Sequence, residues 1–193
     1  VQTCALPILA SEGKDEQAKA DVDRLIKQAP DLPQAILLRS RIAAQRKRWG
    51  EAINDLQLLL QTDPTHAEWR IQLAGYYVGD NRPRKAVELL TQVLDSIRDE
   101  SDPEARETKV MALESRGNAL LSIGKHADAV KDYDEALKLD AEDTGVLNNL
   151  AWVLATSPDD PVRNATRSIE LGLKACELTK YQRPHILSTL AAG

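Results

Sequence analysis

Small and apolar positions recur along this chain with the spacing of a helical face and a longer period of thirty-four. Ala18, Ala52 and Ala86 stand 34 apart. Val22, Leu56 and Leu90 follow four residues after them, and Leu25, Leu59 and Val93 seven after, so each trio shares one side of a helix. Pro30 and Pro64 repeat at the same distance and close the segments. A fourth set, Ala129, Tyr133 and Ala136, is shifted by nine extra residues, and a fifth, Ser168, Gly172 and Ala175, by five. Twelve residues before the marker position lies another small residue, Ser40, Ala74 or Gly117, inside a second apolar pattern. Ala151, 34 after Gly117, takes that part ahead of an insertion over 157–164. Small side chains let two backbones approach, with Leu73, Leu120, Leu150 and Leu154 on the flanks, so the unit is a helix-turn-helix hairpin.

The periodicity predicts helices over 14–28, 33–47, 50–62, 66–80, 83–98, 102–123, 126–139, 144–156, 162–179 and 184–192. Ser101-Asp102-Pro103-Glu104 has capping-box spacing with proline in the first turn. The insertion there is expected to lengthen a helix rather than form a loop. Because a hairpin cannot bury both its faces alone, residues 1–28 and 184–193 are expected to exchange amide hydrogens fastest.

The segment RGNALLSIGKHADAVKDYDEALKLDAED, residues 116–143, resembles the tetratricopeptide repeat family through Gly117, Gly124, Ala129, Tyr133 and Ala136. LNNLAWVLATSPDD from Leu147, followed by KACELT from Lys174, is similar to a bacterial subgroup with a longer inter-helix loop. The resemblance spans residues 9–193, in units of about 9–32 (partial), 33–66, 67–109, 110–143, 144–183 and 184–193 (partial). Two features depart from the pattern: Ile36 or Arg70 stands at the family's tryptophan position, and Ala141 replaces the closing proline. The implied fold is all-α, a right-handed α-solenoid of stacked antiparallel hairpins. Residues 1–8, VQTCALPI, resemble adapter read-through and are expected to be a non-native or disordered leader, and the chain is expected to be a fragment of a longer one.

Composition narrows the function. Phe is absent and aromatics make up 4%, so Leu, Ile, Val and Ala must fill the core. A formal charge of −5 offers no footprint for nucleic acid or an anionic bilayer, and 28% charged residues leave no membrane span. Arg39, Arg41, Arg46, Lys47 and Arg48 form the one basic cluster, confined to a single hairpin and read as solvated or salt-bridged. Cys4 and Cys176 fit a reducing, cytoplasmic compartment, and Cys176 reads as a core filler.

Catalytic motifs are missing: no HExxH, GxGxxG, GxxxxGK[ST] or paired CxxC occurs. No enzyme activity, metal or cofactor is expected. His66, His126 and His185 sit near helix starts in solvated or capping roles, while Trp49, Trp69 and Trp152 are spaced as packing residues. Asp159-Asp160 and the acidic turn at 140–143 lack calcium-loop spacing, and Asn164-Ala165-Thr166 is a chance-level glycosylation triplet.

The family resemblance implies a concave groove, lined by the first helix of each hairpin, that takes an extended peptide. Mapped onto this sequence, its candidate residues are Arg41, Gln72, Glu114, Asn118, Ser122, Asn148, Asn149 and Trp152. Asn118 and Asn149 match the asparagines of the family's carboxylate clamp for chaperone C-termini. Glu114, His185 and Thr189 occupy the places of its basic members, so a chaperone tail is not expected and a neutral or basic segment is. The expected function is a non-catalytic protein-interaction scaffold with a protein or peptide partner. The alternative is a structural spacer in a larger multidomain protein.

Overall fold

Most of the described side chains at the 34-residue markers disappear from solvent, with Leu25 partly buried. In a computed structural model that describes residues 15–29, 32–99 and 101–192, Ala52, Ala86, Ala129, Leu56, Leu90, Tyr133, Val93, Ala136 and Ala175 are all fully buried. Burying a leucine is worth roughly 1.5–3 kcal/mol, so each turn of these helices is anchored by its marker stripe. The 1–8 leader, Pro30 and the side chain of Ala18 lie outside the described residues.

Ten helices are described: α1 Asp15–Gln28, α2 Pro33–Gln45, α3 Trp49–Thr62, α4 Ala67–Gly79, α5 Pro83–Ser96, α6 Pro103–Leu121, α7 His126–Leu139, α8 Thr144–Thr156, α9 Ala165–Leu178 and α10 Pro184–Ala192. No strand occurs among the described residues. The fold is an all-α helical-repeat solenoid. It divides into two compact units, one ending at Arg82 and holding α1–α4, the other starting at Pro83 and holding α5–α10.

In the first unit α2 and α3 form a tight hairpin, with α1 packed on α2 and α4 on α3. Val22 and Ile42 seal the α1–α2 contact. In the second unit α6 pairs with α7 and α8 with α9, α5 packs on α6, and α10 lies against both α8 and α9. The small residues expected at the crossings are there: Ser40, Ala74, Gly117 and Ala151 are all buried. At Gly117 there is no room for a side chain, because a Cβ there would stand 2.6 Å from Cε1 of Tyr133.

The first helices of three hairpins, α2, α4 and α6, end the same way. Lys47 (φ 58°), Asn81 (φ 58°) and Gly124 (φ 75°) turn left-handed, and the next amide reaches back to the carbonyl five residues earlier: Arg48 to Ala43 at 2.9 Å, Arg82 to Tyr77 at 2.7 Å, Lys125 to Leu120 at 2.9 Å. This double closure of the orphan carbonyls stops α2, α4 and α6 one or two residues before the expected ends.

The insertion before α6 lengthens that helix to 19 residues, as expected, but the cap differs. Asp102 accepts from the Ala105 amide at 3.0 Å with Pro103 at the first helical position. Ser101 instead donates its amide and hydroxyl to Asp99. A carboxylate one residue nearer the proline wins because it reaches the third amide of the turn and carries charge to the helix N-terminus. The expected start of α9 at 162 moves to Ala165, where Asn164 accepts from the Arg167 amide at 3.0 Å.

Two hairpins share an ion pair at equivalent positions. Arg39 grips Asp55 through Nε at 2.9 Å and Nη2 at 2.6 Å, and Arg116 grips Asp132 through both at 2.8 Å. The corresponding positions of the α8–α9 hairpin hold Leu150 and Leu171, which share one apolar cluster. Planar two-point pairing and apolar contact therefore fill the same slot in different repeats.

Candidate functional site

Of the candidate residues in the second unit, Glu114, Asn118 and Asn149 come together on α6 and α8. Asn149 on α8 donates its Nδ2 to Glu114 Oε1 at 3.0 Å and reaches Asn118 Oδ1 at 3.4 Å, both on α6. The hydroxyl of Tyr133, whose ring is fully buried on α7, donates to the same Asn118 oxygen at 2.7 Å. Tyr133 was singled out as a core marker, not as a site residue. The signal was present: it is the one marker position of its column with a polar tip, where the other repeats carry Val22, Leu56 and Leu90.

Electrostatically the cluster is short of positive charge. Burial is the main cause that holds the Glu114 carboxyl above its usual range, and the Asp143 carboxylate adds to it. Burial, followed by Glu114 and Asp132, likewise pushes the Tyr133 hydroxyl up. Asp143 caps α8, accepting from the Val146 amide at 2.9 Å. Its Oδ1 and Glu114 Oε1 converge over Gly145, where a Cβ would meet them at 3.2 and 3.1 Å. The motif pattern did not mark this second carboxylate beside the cluster.

The other candidates behave differently. Trp152 is a correction: it was expected to pack, yet it is 46% exposed, because its α8 position faces away from the Val153 and Leu154 side that meets the core. Asn148 is half-buried, with Oδ1 enclosed and without a hydrogen-bond partner. Ser122 donates to its own helix at Asn118 O, 3.1 Å away. Thr189 is buried and bonded to the His185 carbonyl, so it does not present its hydroxyl to a ligand. Arg41 and Gln72 belong to the first unit. There Arg41 is exposed and Gln72 donates to the Tyr76 hydroxyl at 2.6 Å.

Several background readings also meet the structure. Of the basic cluster, Arg39 is tied to Asp55 and Arg48 to Glu51, matching a salt-bridged face. Of the histidines expected in solvated or capping roles, His185 is exposed, whereas His66 and His126 are half-buried and neither caps through its ring; each Nδ1 is enclosed without a hydrogen-bond partner, and His66 stacks on Trp69 at 3.9 Å. Trp49 does pack, its indole closing on Gly79 and Tyr76. Cys176 is buried in the α8–α10 cluster, and burial pushes its thiol up. Among the described residues no group of three or more His, Cys, Asp or Glu is placed to hold a metal ion, and no helix is long and apolar enough to cross a membrane.

Models of the tetratricopeptide repeat match residues 43–109, and also 9–67 together with 114–181. The chain belongs to the tetratricopeptide repeat family. Comparison with curated proteins returns no match. Among solved structures, the chain is similar to PilW, described as a widely conserved type IV pilus biogenesis factor (17% identity, 98% of this chain and 83% of that chain, TM-score 0.76). It is also similar to TTC0263, a thermophilic repeat protein of Thermus thermophilus (17% identity, 97% and 95%, TM-score 0.70). A third is YrrB, described as having an unusual peptide-binding site (17% identity, 95% and 87%, TM-score 0.57). At these identities the likeness shows the fold. Tetratricopeptide repeats are protein-interaction scaffolds and generally non-catalytic.

Proposed function

We propose that this chain is a non-catalytic scaffold that binds an extended peptide segment of a partner protein along α6 and α8. The observation that carries the reading is the Glu114–Asn118–Asn149 network. Neighbouring hairpins place amide donors and acceptors on one face, one turn from the exposed indole of Trp152. Amides can pair with a peptide backbone at roughly 0.5–1.5 kcal/mol per bond. An indole supplies the apolar area that micromolar binding, about 8 kcal/mol, also requires. A peptide-binding site described for YrrB supports the reading by analogy of fold. A terminal-carboxylate ligand is disfavoured because Glu114 stands where a clamp needs a cation.

The test is selection from a displayed random-peptide library on the immobilised chain, beside a variant carrying Asn118→Ala, Asn149→Ala and Trp152→Ala. Peptides enriched by the parent and lost by the folded variant are expected. No enrichment by the parent, or equal enrichment by both, would overturn the reading and favour a spacer role.

A further inference from the structure

The lengthened helix α6 extends the groove beyond the asparagines. Its extra N-terminal turns, with the end of α7, enclose a cavity of about 390 Å3 floored by Pro103, Val110, Met111 and Leu139. Met111 and Leu139 are only partly buried, so this floor is open to a ligand. The volume lies within the range of small-ligand pockets and accommodates an aliphatic side chain.

The rim is acidic. Glu107, Asp140 and Asp143 line the cavity, against one cation, Arg106. Asp143 also borders the polar cluster, where its carboxylate and that of Glu114 meet over Gly145. Among the described residues neither acid has an ion-pair partner, and each accepts from one neutral donor, Val146 N–H for Asp143 and Asn149 Nδ2 for Glu114. Two carboxylates, one of them part-buried, therefore face each other without a cation between them. That is an unfavourable arrangement in the free protein which a bound cation would relieve. Burial first, and the facing Asp143 carboxylate second, raise the proton affinity of Glu114.

We propose that this part of the groove recognises a lysine or arginine side chain between Glu114 and Asp143, with an adjacent apolar residue of the same peptide seated on Val110, Met111 and Leu139. The inference rests on the peptide-binding reading above and adds the chemistry of the ligand. The charge pair would set register and partner choice, while the apolar seat would lengthen residence.

Testing it uses the full chain and the peptides enriched in the selection, resynthesised with each Lys or Arg replaced in turn by norleucine or by Glu, with affinity read by fluorescence anisotropy. One cationic position should lose at least about tenfold with norleucine and more with Glu. The protein variants are Glu114→Gln and Asp143→Asn; Asn is as good an N-cap as Asp, so α8 is left intact. Together they should erase the difference between the lysine and norleucine peptides, and Met111→Asp should weaken both. Peptides that bind, are lost on Asn118→Ala with Asn149→Ala, and show no cation preference would overturn this inference and leave the groove reading standing. Absence of any peptide binding would overturn both.

Discussion

Replacing Gly117 with alanine sets two effects of known size against each other. In an exposed helix interior the change gains about 1 kcal/mol, because glycine is the costlier residue to order. At this crossing the new Cβ would lie 2.6 Å from Tyr133 Cε1 and 2.8 Å from Cζ. The ring is fully buried and its hydroxyl is tethered to Asn118, so it cannot swing aside as a free side chain would. Overpacking of this kind costs roughly 1–3 kcal/mol. The net for alanine is then a loss of up to about 2 kcal/mol, and at roughly 2–4 °C per kcal/mol for a chain of this size the Tm falls by up to several degrees. Gly117→Leu gains no more from propensity and adds three carbons, so it should sit at or beyond the upper end. Gly75, in α4, is the internal control: nothing lies within 4 Å of its would-be Cβ. There the same change to alanine should raise the Tm by about 2–4 °C. Thermal unfolding followed by far-UV circular dichroism reads all three. Adding Tyr133→Leu to Gly117→Ala should recover stability relative to Tyr133→Leu alone, because leucine fills that place in other repeats. A Gly117→Ala variant as stable as Gly75→Ala would refute the assigned crossing and the helix register with it.

Arg116→Leu alone should destabilise by roughly 3 kcal/mol or more in denaturant unfolding, since it strands the buried Asp132. Arg116→Leu with Asp132→Leu should cost far less, the slot being filled as Leu150 and Leu171 fill it. Glu114→Gln should raise the Tm at neutral pH. The folded state holds the Glu114 proton above the ordinary value of 4.5, so the wild type loses stability as pH rises through the folded pKa. The advantage of the variant should therefore vanish below about pH 4, and an advantage independent of pH would contradict the assignment. Asn164→Ala should cost about 1 kcal/mol by removing the cap of α9, and Asn164→Asp should restore it. Lys47→Gly should gain up to about 1 kcal/mol by relieving a left-handed non-glycine residue, while Gly124→Lys at the equivalent turn should lose a similar amount in the same assay.

The repeat was legible in the sequence because its causes are local. Marker residues at intervals of four and seven define a helical face wherever they occur, and small residues twelve positions upstream define where a partner can approach. Every described helix accordingly falls within a few residues of its expected range, and the buried stripe is the expected one. Groove residues on the first helices of two hairpins could be named from their place in the repeat, and Glu114, Asn118 and Asn149 do meet.

Side-chain pairing across hairpins was not legible, since it depends on where separate helices come to rest. Asn149 reaches Glu114 across 35 positions, and Tyr133 turns a core marker into part of the polar cluster. Helix periodicity could not show that Trp152 would stay exposed while Val153 and Leu154 turned inward, because residue type favoured packing and only the position of the neighbouring helices decided otherwise. The cavity beside α6 has the same origin. The sequence by itself determined a tetratricopeptide-type array through short-range periodicity. Tertiary packing alone decided which polar groups satisfy one another and which carboxylates, Glu114 and Asp143 above all, were left without a cation, because charge balance at a site is a property of neighbours in space rather than in the chain.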